Sequence, residues 1–133
     1  MIAVFIIVVM SVIGAALIRL LNDSATSTVT EVYGARAFHA AQSGIDIFLT
    51  ELFPHDSPTA SCTARAGSIQ SKAIDSSYSF NTPGLTNCSA NIRCDELDLS
   101  PFPGRHFRIL SSAQCTAGDQ RYSRQLLVEA RDD

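Results

Sequence analysis

Four cysteines and three histidines are the side chains of this 133-residue chain best suited to bind a metal ion or form cross-links. A structural zinc ion needs four such ligands converging on one point. Cys62, Cys88, Cys94 and Cys115 are widely spaced, and no two of them form a Cys-x-x-Cys pair. Residues six apart on an extended strand are separated by about 20 Å, so Cys88 and Cys94 can neither share one metal ion nor bond to each other. We therefore predict two disulfide bonds, no metal site and no cofactor.

Excluding the Cys88–Cys94 bond leaves two possible pairings of the four cysteines. If the strands on either side of residues 95–105 form a hairpin, Cys88 and Cys115 both lie at its open end. This arrangement slightly favours Cys88–Cys115 with Cys62–Cys94 over Cys62–Cys88 with Cys94–Cys115, and both remain open. An even number of cysteines in a small domain is typical of an oxidising compartment, so we expect this part of the chain to lie outside the cytoplasm.

The remaining polar side chains give no pattern typical of an enzyme, and we predict a non-enzymatic protein. The serines lack the glycine pattern of a nucleophile elbow. His39 lies on a predicted helix, where we interpret it as a partly buried packing residue and not as a base. His55 follows Pro54 and is expected in solvent, whereas His106 precedes a predicted strand. The formal net charge of -3 argues against a nucleic-acid partner, which would require a basic surface.

An acidic cluster and one aromatic residue lie in the predicted loop 95–105. Asp95, Glu96 and Asp98 lack the spacing of an EF-hand, so we interpret them as a solvated acidic turn and not as a calcium site. Phe102 stands between two prolines and is a candidate contact residue for a partner.

One long helix is predicted over residues 1–53, and its first part, 1–21, is apolar enough to span a membrane. No charged residue occurs from Met1 to Ile18, which meets the usual length of a membrane span. A cleavable signal peptide is the alternative, but it requires a basic segment before a shorter apolar run. The residues that we expect to contact lipid or neighbouring helices are Ile2, Phe5, Ile6, Val9, Ile13, Gly14 and Leu17.

The second part of the helix, residues 22–53, is predicted to be amphipathic. The polar stretch 22–28 has weak helix propensity and is a candidate for a kink or a loosened turn. From Val29 to Leu52, apolar or small residues recur at steps of three and four along one face, and the opposite face, including Arg36, suits water. The face predicted to pack against a sheet comprises Ala37, Ala40, Ala41, Gly44, Ile45 and Phe48. The helix should end before Pro54.

Residues 54–133 are predicted to form a β-rich head outside the cytoplasm. Hydrophobic residues alternate with a period of two over four segments, which predicts strands near 78–82, 88–94, 106–112 and 122–131. The sequence between Pro54 and the first of these strands resembles a loop. Short connections favour an antiparallel sheet that buries one face under the amphipathic helix. The predicted fold class is therefore α+β, with two disulfides.

This organisation resembles a type IV pilin, in which one N-terminal helix is half membrane span and half packed on a small antiparallel sheet. Within that superfamily, four segments resemble the MSHA pilus biogenesis protein P family, and they are Ile2–Met10, Gly14–Leu20, Glu31–Ala37 and Ala40–Gly44. The head matches only loosely, through the Cys88-to-Cys94 spacing and Ser123-Arg124. The family comprises minor pilin-like proteins of the mannose-sensitive haemagglutinin pilus.

The resemblance implies a structural subunit that primes or caps an MSHA-type pilus and supports adhesion. Its expected partners are inner-membrane lipid and other pilin and minor pilin subunits, with no nucleic acid. The expected location is the bacterial inner membrane, single-pass with a periplasmic head, and after assembly the pilus tip or cell surface. A type II secretion pseudopilin would share every helix feature, and a bitopic periplasmic binding module unrelated to filaments is a further alternative.

Two departures from the pilin pattern bear on this expectation. Pilin precursors carry a short basic leader ending in Gly, so we expect the codons upstream of Met1 to encode one. Major pilins also place a Glu in the first turn of the span, where it meets the terminal amine of a neighbouring subunit. The first acid here is Asp23, and the matching position falls near Ile2. The resemblance then implies a tip or priming subunit and not a repeating one.

Overall fold

The computed structural model describes residues 2–64, 69, 77–99, 101 and 103–132. Helix α1 is assigned without interruption over Ile2–Leu52. The strands are β1 (Thr63–Ala64), β2 (Ser77–Phe80), β3 (Cys88–Asp98), β4 (Arg105–Ala117) and β5 (Gln120–Asp132). The chain divides into two compact units, Met1–Val32 and Tyr33–Asp133. Phe102, and residues 65–68 and 70–75 of the predicted loop after Pro54, lie outside the described residues.

In the first unit, every described residue is exposed except Gly14, which is half-buried. The polar stretch 22–28 that follows the apolar run is assigned as helix throughout. The hydroxyls of Thr26, Thr28 and Thr30 donate to the carbonyls four residues earlier, at 3.0, 3.1 and 3.0 Å. These side chains therefore satisfy their hydroxyl groups on the helix backbone itself.

In the second unit, residues 33–52 of α1 bury a face of small and apolar side chains against the sheet. All six residues predicted for this packing are buried, together with Gly34 and Leu52. Gly44 lies so close to β3 that a Cβ on it would be 2.8 Å from the Cβ of Ala90 and 3.2 Å from Cδ1 of Ile92. Val29 does not belong to this face, because it is 44% exposed and the buried residues begin only at Gly34.

The sheet is mixed and not purely antiparallel, which corrects the predicted topology. Its order is β1-β3-β4-β5, with β2 also paired to β3. β3 runs antiparallel to β2 and β4, and β4 runs antiparallel to β5, whereas β1 is parallel to β3. The parallel pair follows directly after Cys62, which is bonded to Cys94. This bond places Thr63 beside Asp95, at the start of the parallel pairing.

Strand β3 is longer than predicted and includes Asp95 to Asp98, which the sequence assigned to a loop. These residues pair in register with Arg105 to Arg108 of β4. Arg108 is opposite Asp95 and forms an ion pair with it, and Glu96 lies 3.8 Å from a terminal nitrogen of Arg105, so the acidic stretch is part of the sheet and not a solvated turn. β2 is shorter than predicted because it ends at Phe80, before the turn at residues 83–87. Helix α1 ends at Leu52, one residue before the predicted end.

Candidate functional site

The first candidate surface is the apolar part of α1, which is long and apolar enough to cross a membrane. None of its most apolar window is buried within the chain. Of the residues predicted to contact lipid or other helices, Ile2 is 78% exposed, Phe5 69% and Leu17 57%. Ile6, Val9 and Ile13 are also exposed, whereas Gly14 is half-buried. Apolar side chains exposed in such numbers on one segment indicate a lipid or protein environment around it.

Two disulfides join distant parts of the head. Cys62 is bonded to Cys94, and Cys88 is bonded to Cys115. This is the pairing that the sequence slightly favoured. The second bond joins residues that are directly opposite on β3 and β4, whereas the first ties the segment after the helix to the middle of β3. Both bonds lie within the core between the helix and the sheet.

An ion pair between a buried carboxylate and a partly exposed guanidinium lies on β3 and β4. Asp95 is fully buried, and its carboxylate accepts hydrogen bonds from Nε of Arg108, at 3.1 Å, and from the NH2 group of the same guanidinium. The hydrogen bond to Asp95 raises the pKa of Arg108, while burial opposes this effect. Asp95 is a structural residue of the sheet, and its predicted role in a solvated turn was wrong.

A second polar cluster ties the end of β5 to the segment that carries Cys62. Arg105 donates to the carbonyl of Thr59 and to the carboxylate of Asp132, both at 3.2 Å. Its other terminal nitrogen lies 3.8 Å from Oε2 of Glu96. The same Oε2 atom accepts a hydrogen bond from the N–H of Cys62 at 3.0 Å. Glu96 therefore orders the backbone next to the first disulfide, which excludes the solvated role that the sequence predicted.

Arg36 has a structural contact that the sequence did not predict, since its face of the helix was expected in water. Its Nε donates to the carbonyl of Gly84 at 2.7 Å, and its NH2 group donates to the carbonyl of Thr86 at 2.9 Å. The guanidinium also lies 4.8 Å from the ring centroid of Tyr33, which stacks on Tyr122 at 5.3 Å. Arg36 therefore fixes the turn before β3 to the helix.

The histidines do not come together in a reactive site. His39 is exposed and its ring contacts that of Phe38 edge-on. The buried residues Ala37 and Ala40 share the face of the helix that packs on the sheet, so the two residues between them in sequence face away from it. The predicted partial burial of His39 was wrong. His55 is exposed, and His106 lies within β4. Among the described residues, no group of three or more His, Cys, Asp or Glu side chains is placed to hold a metal ion.

A polar groove lies on β3, β4 and β5, with a volume of about 720 Å³. Its lining includes Asn91, Arg93, Ser112, Gln114 and Gln125. The side-chain amide of Gln125 donates to the hydroxyl of Ser112 at 3.2 Å. The sequence did not indicate this groove, because residues from three strands form it and their relative register is set only by the fold.

Comparison with known proteins gives no family assignment. No family model matches the chain, and neither a curated protein nor a solved structure matches it significantly.

Proposed function

We propose that the chain is a membrane-anchored structural subunit of a type IV pilin-like filament, specifically a minor pilin-like subunit that primes or caps an MSHA-type pilus. One observation carries the proposal. A single 51-residue helix has an exposed, uncharged apolar segment at its start and a buried face of small residues at its end, where it packs on a disulfide-bonded sheet. This combination suits a subunit that is first anchored in lipid and later packed among similar helices.

The exposed apolar surface supports this mechanism on energetic grounds. Each Å² of apolar surface left in water costs about 25 cal/mol, so large exposed side chains such as Phe5 and Leu17 require an apolar environment. Lipid and a bundle of apolar helices both provide one. Transfer of the segment from lipid into a bundle of apolar helices therefore costs little free energy. A motor can extract the subunit without overcoming a large hydrophobic penalty.

The apolar segment from Ile2 to Leu21 contains no acidic residue, and the first acid is Asp23. A carboxylate within an apolar layer is costly unless it meets a partner charge. Along this segment the subunit therefore offers no carboxylate to a neighbour's charge, which supports a starting or capping position in the pilus and a role in adhesion at the cell surface.

Site-directed cross-linking in cells that carry the pilus genes tests the proposal. Ile7 and Ala15 are replaced by cysteine, one at a time, in the full chain in its membrane. We expect ladders containing pilin-type subunits, because these positions lie on the segment proposed to pack among similar helices. Asp119→Cys, in the exposed turn of the head, is the matched control for non-specific reaction. A membrane-inserted chain that forms no such ladder at either position would be a lone anchored module.

Deletion of the gene separates the pilus from the secretion alternative. If the subunit belongs to an adhesive pilus, deletion reduces the number of surface pili and attachment, and expression of the intact chain restores both. If it belongs to a type II secretion pseudopilus, deletion instead blocks release of exported proteins while piliation is unchanged. Counting pili by electron microscopy and assaying secreted protein in the same strains distinguishes the two results.

A further inference from the structure

The polar groove on β3, β4 and β5 is a part of the head to which the proposed filament function assigns no role. Side chains alternate between the two faces of a sheet along each strand. Those of Ala90, Ile92 and Ser111 point at Gly44 of the helix, so their neighbours in sequence face away from it. The groove therefore opens on the outer face of the sheet. Its outward side chains are Asn91, Arg93, Ser112, Gln114, Ser123 and Gln125.

The register arranges the neutral side chains of the groove in two rows across the strands. In one row, Asn91 is opposite Ser112, which is opposite Gln125. In the next row, Gln114 is opposite Ser123. Every amide and hydroxyl in these rows has both donor and acceptor capacity. The rows therefore match a ligand that carries many donors and acceptors close together, as the hydroxyl groups of a saccharide do.

Arg93 adds a positive charge beside these rows. Its side chain is half-buried, and its guanidinium makes no hydrogen bond or ion pair within the part of the chain that the structure describes. None of the described residues that line the groove is acidic. The neighbouring row of the same face contains Asp95 and Glu129, but Arg108 lies between them. A partly buried cation without a partner favours an anionic ligand, because burial of an unpaired charge is costly.

Arg124 borders the groove but directs its charge elsewhere. Its NH2 group lies 2.6 Å from the place that a Cβ on Gly34 would occupy, on the helix side of the sheet. Its NH1 group donates to the carbonyl of Ser123 at 3.0 Å. Among the described lining residues, Arg93 is therefore the one whose cation is available to a ligand in the groove.

Two leucines continue the row of Arg93 next to the groove. Leu110 is opposite Arg93, and Leu127 is opposite Leu110. Leu127 is 54% exposed. An apolar surface beside convergent polar groups is typical of small-ligand sites. It suits the C–H groups of a sugar ring whose hydroxyls and carboxylate are bound by the polar side chains.

We propose that this groove binds an acidic saccharide, specifically a short chain of uronic acid residues. Arg93 binds a carboxylate of the ligand through two parallel N–H···O bonds, which the planar guanidinium favours. The amide and hydroxyl rows bind the ring hydroxyls. The volume of about 720 Å³ lies within the range of about 300–1,000 Å³ typical of ligand sites, so it exceeds what a single carboxylate needs. The site lies entirely in the head and does not depend on the filament function proposed above.

Calorimetric titration of the full chain in phosphatidylcholine nanodiscs with short galacturonic acid oligomers tests the ligand class. Galactose oligomers of equal length keep the ring hydroxyls without the carboxylates, and glutamate oligomers keep carboxylates without the sugar ring. At about 0.15 M salt, charges separated by more than about 8 Å are largely screened. We expect the galacturonic acid oligomers to bind at least about tenfold more tightly than either matched ligand, because each lacks one set of hydrogen bonds.

Substitutions in the groove test the residues. Arg93→Gln removes the charge and should weaken binding of the galacturonic acid oligomers about tenfold. Arg121→Gln is the matched control, because Arg121 is exposed on the same face of the sheet but outside the groove, and binding should be unchanged. Asn91→Ala with Gln125→Ala keeps the charge but removes two amides, and should also weaken binding about tenfold. Peptide mapping without reduction verifies that every variant retains both native disulfides.

Four results would overturn the proposal. Absence of binding of galacturonic acid oligomers to the folded chain would exclude the ligand, and equal affinity for galactose oligomers would remove the role of the carboxylate. Equal affinity for glutamate oligomers would assign the groove to acidic peptides. Equal losses in Arg93→Gln and Arg121→Gln would show attraction to the positive charges of the head in general and not binding in the groove.

Discussion

Replacement of Gly44 by alanine tests whether close approach of the helix to β3 determines the small-residue face. A Cβ at this position would lie 2.8 Å from the Cβ of Ala90, 3.2 Å from Cδ1 of Ile92 and 3.6 Å from Oγ of Ser111. The first distance is too short for two carbon atoms. The Cβ of Ala90 is fixed to the backbone of β3, so helix and strand must move apart to relieve the contact.

The net effect is the difference between two opposing terms. Alanine is better than glycine in a helix by about 1 kcal/mol. Overpacking of a well-packed core costs about 1–3 kcal/mol, and here the obstacle is a strand and not a flexible side-chain end. We therefore expect Gly44→Ala to destabilise the second unit by about 1 kcal/mol. For a unit of this size that corresponds to a fall of about 4–8 °C in Tm.

Gly34→Ala is the matched control on the same helix face. Its Cβ would meet the NH2 group of Arg124 at 2.6 Å, which is the far end of a flexible side chain that can move at little cost. We expect this variant to keep or raise Tm. Ala90→Gly in the Gly44→Ala background removes the obstructing atom and should recover part of the loss.

Thermal unfolding of the full chain in detergent, followed by circular dichroism in the near ultraviolet, measures these differences. If Gly44→Ala is as stable as the unsubstituted chain while Gly34→Ala is also unchanged, the close approach at β3 does not limit the size of residue 44. The account of the helix face would then be wrong.

Three further substitutions test other contacts of the head. Asp95→Asn leaves Arg108 without its carboxylate and should lower Tm. Asp95→Leu with Arg108→Met should recover part of that stability, because position 95 is fully buried and an apolar residue there needs no charged partner; unfolding curves of the three chains decide this. Replacing Cys62 and Cys94 by alanine opens a loop of 32 residues, and the free energy of unfolding measured in denaturant should fall by about 3–4 kcal/mol. A fall of less than about 1 kcal/mol would contradict the loop-closure entropy on which this value depends. Arg36→Ala removes two hydrogen bonds to the turn before β3, so the rate of amide hydrogen exchange in that turn should rise with little change in Tm. Equal exchange rates in the two chains would show that this side chain does not order the turn.

The sequence predicted the features of the fold that depend on local periodicity. An uncharged run of membrane length, a helical face of small residues and a proline after Phe53 together indicated one long helix, and α1 ends at Leu52. Alternation of apolar residues indicated the three long strands, with errors mainly at their ends. The spacing of the cysteines was sufficient to exclude one disulfide pairing and to favour the observed one slightly.

The pairing partners were decided only by the tertiary structure. Periodicity indicates which face of an element a residue occupies, but a contact such as Asp95 with Arg108 depends on the register between two strands, which the hairpin fixes. The parallel position of β1 likewise depends on the bond from Cys62 to a strand far away in sequence. Local sequence determined the elements because backbone geometry repeats over a few residues, whereas the ion pair and the parallel strand exist only once distant segments have been brought together.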